Sequence, residues 1–233
     1  MKATIELFKD LSEKTINKFG FDGGEVDQGS QEWHRMRAGV ITGSKVYDII
    51  KPGRKKGSYS EARERYMNEL IAQVCTGLLP DEINAKALSW GKENEPKALD
   101  AYDPFGDFNI HQIAFIYSDD MRCGVSPDAL VNDDGGLEIK CPFTTSQYIN
   151  QLLGGDPKPE YNAQYQFCMW VSGREWWDFM NFDPRMKKNN HIIKRFEKDN
   201  EMIDTFEREI PIFIKEMDEK LELIGFKFED IYE

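Results

Sequence analysis

An aspartate stands ten residues before a Glu-x-Lys triplet: Ser126-Pro127-Asp128 leads, through Gly135-Gly136, to Leu137-Glu138-Ile139-Lys140-Cys141-Pro142. Leu137, Ile139 and Cys141 alternate with Glu138, Lys140 and Pro142, the pattern of a half-buried strand. Side chains two apart on a strand point the same way, so Glu138 and Lys140 share a face. A hairpin turning near Asp133-Asp134-Gly135-Gly136 returns Asp128 to their side. Two carboxylates are hard oxygen donors suited to Mg²⁺ or Mn²⁺, and an adjacent lysine can orient or deprotonate a water. These are the parts needed for metal-assisted hydrolysis of a phosphodiester. A strand carrying Glu and Lys on a solvated face has the same spacing, so spacing alone leaves both readings open. The apolar setting (Leu130, Val131, Leu137, Ile139, Phe143) makes a solvated face less expected.

The elements that must position these residues follow from periodicity. Helical spacing covers 4–19, 43–50, 60–76 and 84–102, with Thr42 and Asn84 as N-caps of the second and fourth. Strand-like runs follow at 108–117, 122–131 and 136–141, then a helix at 160–172 and strands at 175–182 and 190–196. A last helix near 200–224 places Ile203, Phe206, Ile210, Ile214, Met217, Leu221 and Ile224 at helical spacing. This order predicts an α+β domain with a central mixed β-sheet flanked by helices. No internal repeat or low-complexity linker is evident. Lys51–Gly57 is the most basic loop, and 154–159 is the other conspicuous break.

Composition bounds the class. A chain of 233 residues with 40% apolar and 12% aromatic content fits one globular domain. No apolar run has the length of a membrane span, and the charged amphipathic start is not a signal peptide, so the expected compartment is the cytoplasm. Cys75, Cys123, Cys141 and Cys168 are widely spaced, which fits reduced thiols and speaks against a cluster or zinc site. The net charge of −12 is awkward for a DNA-binding protein, but it is unevenly distributed. Residues 31–66 hold nine Lys or Arg and four Asp or Glu, whereas 197–233 hold five and thirteen. Such segregation is compatible with a basic DNA-facing surface and an acidic exterior, and two ordinary solvated faces would have the same composition.

Ser126-Pro127-Asp128-Ala129-Leu130 and Gly136–Thr144 resemble the core of the phage lambda exonuclease family, YqaJ-like viral recombinase nucleases of the PD-(D/E)xK superfamily. The likeness extends to Trp33-His34, Arg37-x-Gly39-Val40-Ile41-Thr42-x-Ser44, Val74–Gly77, Asn84–Lys92, Ala163-Gln164-x-Gln166, Met169–Val171 and Asp183–Lys187, in order over roughly 27–226. The resemblance implies a restriction-endonuclease-like core and a single nuclease domain over 1–233. It implies two Mg²⁺ ions (or Mn²⁺) on Asp128 and Glu138, with Lys140 aligning the attacking water; a partly apolar site beside cations would disfavour the lysine's charge and make it a better base. Asp119 resembles a further catalytic carboxylate, although the segment to Ser126 is one residue shorter here and Asp120 lies next door. Glu95 resembles an active-site glutamate on a helix, and reads equally as an exposed helix charge. Gln164 resembles a glutamine that serves the water or the lysine, or is a helix-surface amide.

Arg37, Ser44 and Ser126 resemble a pocket for a terminal 5′-phosphate, with Ser44 in the first turn of a helix. Leu88 matches a wedge that splits the duplex end, or is a core leucine, and Arg54 matches a duplex contact in a shortened loop. The activity implied is 5′-to-3′ digestion of one strand of linear double-stranded DNA to 5′-mononucleotides by a phage or prophage protein. A ring-shaped homotrimer would encircle the DNA, and the 3′ overhang would pass to a single-strand annealing recombinase. The alternatives are a structure-specific endonuclease on the same core and a non-catalytic DNA-end-binding recombination factor.

Overall fold

The computed structural model describes residues 2–78, 85–103, 105–155 and 158–232. Helix α1 (Thr4–Phe19) opens the chain; the Glu6 carboxylate accepts from the Ala3 amide at 2.8 Å and Gly20 closes the helix at φ 79°. A helix α2 (Gln31–Arg37) follows, capped by Ser30, whose Oγ accepts from the Trp33 amide at 3.1 Å. Then come β1 (Ile41–Thr42), α3 (Val46–Ile50), α4 (Glu61–Thr76) and α5 (Ala85–Tyr102). Five strands run in succession: β2 (Ile110–His111), β3 (Ile116–Tyr117), β4 (Cys123–Val125), β5 (Ala129–Val131) and β6 (Gly135–Lys140). Helices α6 (Thr145–Leu152) and α7 (Pro159–Ser172) lead to β7 (Trp176–Phe182), β8 (His191–Glu197) and α8 (Asn200–Leu223).

The expected α+β architecture of mixed sheet and flanking helices is present, divided into two sheets. The larger has the order β2-β5-β6-β7-β8, with β6 parallel to β7 and the other pairs antiparallel. The smaller has the order β1-β4-β3. The strand expected over 122–131 divides into β4 and β5 because Pro127 has no N–H to continue a ladder. The run expected over 108–117 divides likewise, β2 joining the larger sheet and β3 the smaller. Thr42 is not a helix cap: it lies in β1 beside Gly124, and α3 starts after Lys45. The cap expected at Asn84 lies outside the described residues.

The hairpin joining β5 to β6 turns at 132–134, where Asn132 takes φ 51°. Gly135 and Gly136 are therefore not turn residues; they pair with Trp176 and Trp177 on β7. A Cβ at Gly135 would lie 2.1 Å from the Trp176 ring, and one at Gly136 2.3 Å from the Trp177 ring. Gly136→Ala should destabilise the fold by about 1–3 kcal/mol, since Trp177 is fully buried and has nowhere to go. Urea unfolding at wild-type stability would refute that packing.

Two apolar cores meet at this strand pair. The larger joins α1, α3, α4, α7 and α8 to the small sheet; the smaller packs Ala98 and Tyr102 of α5 on Ala129, Val131, Leu137, Ile139 and Met180. The acidic α8 touches the basic 31–66 region. It packs along α3, α4 and α7, pairing Glu216 with Arg63 at 2.6 Å and Lys220 with Glu64 at 2.6 Å. Arg63, counted among the basic residues facing DNA, is 3% exposed, because its guanidinium lies beneath Tyr59 at 3.9 Å and serves α8.

Candidate active site

Strand pairing brings the sequence-predicted carboxylates together. Ala129 faces Leu137 across the β5–β6 ladder, so Asp128 lies beside Glu138. Asp128 Oδ2 accepts from the Ile139 amide at 2.5 Å. Glu138 is buried; its Oε1 accepts from Lys140 Nζ at 2.5 Å and from Gln164 Nε2 at 2.8 Å. Its other oxygen, Oε2, is buried with no hydrogen-bond partner among the described residues. An uncompensated carboxylate oxygen in a protein interior is costly, and a cation is the natural complement to it.

The electrostatics follow from this crowding. Burial, then the neighbouring Glu138 charge, pushes the Asp128 carboxyl well above its ordinary value, against Lys140 and the Ile139 amide. Glu95 on α5 is shifted up by burial, with Lys140 opposing and Glu138 reinforcing the rise. Glu95 thus belongs electrostatically to the same site. Burial favours the neutral form of Lys140, but the Glu138 and Asp128 charges, unopposed by a cation, outweigh it and shift its pKa upward. The two carboxylates set this direction, and a cation bound to them would offset it.

The donor set suits a hard divalent cation. Among the described residues no group of three or more His, Cys, Asp and Glu side chains is arranged to hold a metal. Asp128 and Glu138 would therefore leave much of an ion's shell to water and substrate oxygens, the usual condition of Mg²⁺.

Asp119 is not brought to this cluster. It sits in the turn between β3 and β4, 93% exposed, paired with Lys2 at 3.3 Å. Strand β4 separates it from Asp128, so closeness in sequence did not become closeness in space. Its neighbour Asp120 accepts from Ser118 Oγ at 2.6 Å and the Arg122 amide at 3.0 Å, and so serves the turn.

A second cluster forms beside β4. Arg37 Nη1 donates to Ser126 Oγ at 3.2 Å, and Trp33 Nε1 donates to the same oxygen at 3.0 Å. The Arg37 guanidinium stacks 4.0 Å from the Trp33 ring centroid. Arg37 and Trp33, with His34, Ser44, Lys45, Tyr66 and Glu69, line a cavity of about 280 Å³, in which Glu69 pairs with Lys45 at 3.5 Å. Ser44 is exposed in the turn before α3, not within a helix, and α3 has only five residues. A helix dipole therefore adds little here; donors in this cavity are side chains and turn amides. Trp33 and Lys45 carried no assigned role in the sequence, although Trp33 stood in a family-like block. Arg54 is exposed in the 51–59 loop. The side chain of Leu88 lies outside the described residues, although its backbone belongs to α5.

A model of the YqaJ-like viral recombinase domain matches residues 32–175, which include β5, β6 and both clusters. The chain belongs to the YqaJ-like viral recombinase family. An alkaline exonuclease from Laribacter hongkongensis, LHK-Exo, is 36% identical, with a TM-score of 0.73 over 84% of this chain and 96% of that one. Its complex with dAMP superposes with a TM-score of 0.74 at 34% identity. A phage-related exonuclease from Haemophilus somnus shares the fold at 15% identity, with a TM-score of 0.62. The Escherichia coli K12 protein ExoD is 41% identical over 71 residues, 30% of this chain and 82% of that protein. The family and its exonuclease relative support a nuclease. No helix among the described residues is long and apolar enough to cross a membrane.

Proposed function

We propose that this viral recombinase homologue is a Mg²⁺-dependent exonuclease that digests one strand of linear double-stranded DNA from a 5′-phosphorylated end, releasing 5′-mononucleotides. The observation that carries the reading is the buried, unpartnered Oε2 of Glu138 beside Asp128, with Lys140 on the same face. Asp128 and Glu138 would hold the metal, Mg²⁺ or Mn²⁺ and two ions by family resemblance. When bound, the ions would supply Lewis-acid charge and an activated water. Lys140 and Gln164, both anchored on Glu138 Oε1, would orient the attacking water. Glu95 would add a carboxylate from α5. The complex of LHK-Exo with dAMP, a 5′-mononucleotide, supports a product of this kind.

Arg37, Ser126 and Ser44 would hold the terminal phosphate. Arg37 presents a fork already aimed at Ser126, and the cavity volume accommodates a phosphate monoester. Arg54 would touch the duplex and Leu88 would part its end. The reading extends to a single nuclease domain working as a homotrimeric ring in the cytoplasm of a bacterial host, and to delivery of the 3′ overhang to a single-strand annealing recombinase. Asp119, exposed and tied to Lys2, has the weakest support as a catalytic group.

Linear duplex labelled at either the 5′ or the 3′ end tests the direction. The 5′ label should appear first as mononucleotide, and a 5′-phosphate end should be digested at least about tenfold faster than a 5′-hydroxyl end. Arg37→Ala should shrink that preference more than it weakens binding to internal duplex, where contacts are spread over many phosphates. Equal initial rates on both kinds of end would reject the phosphate pocket. Digestion of covalently closed duplex would reject the exonuclease reading in favour of an endonuclease.

A further inference from the structure

Three residues past Lys140, the Phe143 ring is 49% exposed in the bend between β6 and α6. A large exposed aromatic is usually on a mobile surface, but this one is fastened from behind. Arg185 Nη1 donates to the Phe143 carbonyl at 2.9 Å and Nη2 donates to the Pro142 carbonyl at 2.9 Å. The same guanidinium is held by the fully buried Asp183 through Nε at 2.7 Å and Nη2 at 2.8 Å. Its flat face stacks 4.4 Å from the Trp90 ring centroid on α5. Trp90 in turn meets Phe143 edge-on, with centroids 6.3 Å apart and planes at 88°. Arg185 thus ties the end of β7, the backbone after the Glu-x-Lys strand and α5 into one support, and the Phe143 ring stands on that support facing solvent.

This support adjoins the proposed catalytic groups from two directions. Three residues of chain keep the Phe143 backbone within about 10 Å of Lys140. Along α5, Trp90 and Glu95 are separated by a rise of about 7.5 Å and stand about 140° apart around the helix, so α5 links the two without placing them on one face. A strand whose phosphate reaches Asp128 and Glu138 would bring its bases within reach of an immobilised ring. Aromatic rings take any nucleobase by stacking, without reading its identity, as a sequence-indifferent nuclease requires. Immobilisation matters because a ring already fixed loses little freedom when a base settles on it.

We propose that Phe143, braced by Trp90 and Arg185, is a stacking platform for a nucleobase of the strand entering the active site. The proposal rests on the nuclease reading above. Phe143 is a substrate-binding residue in this scheme; Arg185 and Trp90 are positioning residues that hold it.

The test pairs protein and substrate changes under steady-state digestion of 5′-phosphorylated linear duplex with Mg²⁺. Substrates carry a single abasic site at successive positions from the 5′ end. Phe143→Ala should raise KM about tenfold with kcat within about twofold, and Phe143→Tyr should restore KM. At one position the abasic substrate should be similarly penalised with wild-type protein. At that position Phe143→Ala should add little further loss, because both changes remove the same contact. If the two penalties multiply at every position, or if KM is unchanged in Phe143→Ala, the platform falls while the nuclease stands. Light scattering is run on the same variant. A changed particle mass would show that Phe143 belongs to a subunit contact, and this would also overturn the proposal. If the wild-type protein hydrolyses no duplex at all, the nuclease reading fails first and the platform fails with it.

Discussion

Asp128→Asn and Glu138→Gln should each lower duplex hydrolysis by at least about three orders of magnitude while leaving the fold as stable as, or more stable than, the wild type. The loss follows from the chemistry. Each change replaces an anionic oxygen with a neutral amide that cannot neutralise a divalent cation, and metal-borne charge stabilisation is worth several kcal/mol in such a reaction, with about 1.4 kcal/mol for each factor of ten. The retained stability follows from the geometry. Asn at 128 keeps an oxygen for the Ile139 amide, and Gln at 138 keeps an acceptor for Lys140 and Gln164. Neither changes core volume. Both relieve the repulsion between two buried carboxylates that pushes the Asp128 carboxyl upward, and one leaves Oε2 no longer an unpaired anion. Strained functional sites commonly gain stability when disarmed. Initial rates with Mg²⁺, measured beside urea denaturation of the same preparations, check both halves. A variant retaining more than about a tenth of wild-type activity would remove that residue from the metal site.

The reactive pair was legible because it depends on a period of two and one tight turn. Leu137 and Ile139 alternate with Glu138 and Lys140, so the charged pair necessarily shares one face, a face that is itself largely buried, and the β5–β6 register carries Asp128 to them. Long helices were legible for a similar reason: α1, α4, α5 and α8 each repeat their apolar face over several turns. The short helices α2 and α6, with seven and eight residues, complete too few turns to show a period and were missed. Gly135 and Gly136 read as a turn because a sequence shows only their freedom, not the indoles on β7 that require their lack of a side chain.

Features set by distant packing were the least legible. Ser126 meets Arg37 across 89 residues, and only family resemblance linked them. Asp119 looked catalytic through its sequence neighbours, yet the β3–β4 turn carries it to the surface. The acidic and basic blocks were counted correctly, but counting cannot tell that α8 lies against α4 and consumes Arg63.

Lys140→Met tests what the third member of the motif does. Met preserves the length and apolar stem of the side chain and removes its charge and its hydrogen bonds. The ammonium donates to Glu138 Oε1, 2.5 Å away, and lies 5.7 Å from the Tyr161 ring centroid, so it is fixed on the reactive face of β6. If that placement serves a water attacking a phosphodiester, removing it should cost kcat about 10²–10⁴-fold. The cost should fall on kcat and not on binding, because Asp128, Glu138 and the proposed phosphate pocket at Arg37 remain intact. The Mg²⁺ concentration giving half-maximal rate and the affinity for 5′-phosphorylated duplex should therefore stay within a few-fold of wild type. A structural role predicts a different pattern. Loss of the Lys140–Glu138 bond would then loosen β6, lower stability and weaken metal response together, and Lys140→Arg, which keeps a charge and donors, would recover most of the activity. An aligning role is less forgiving, since the planar guanidinium places its donors differently from an ammonium, and Lys140→Arg should remain at least about a hundredfold slow. Single-turnover rates for both variants, with DNA binding measured separately, distinguish the two accounts. A Lys140→Met protein that loses DNA binding but turns over normally at saturating duplex would make this lysine a phosphate contact and leave the water to Gln164.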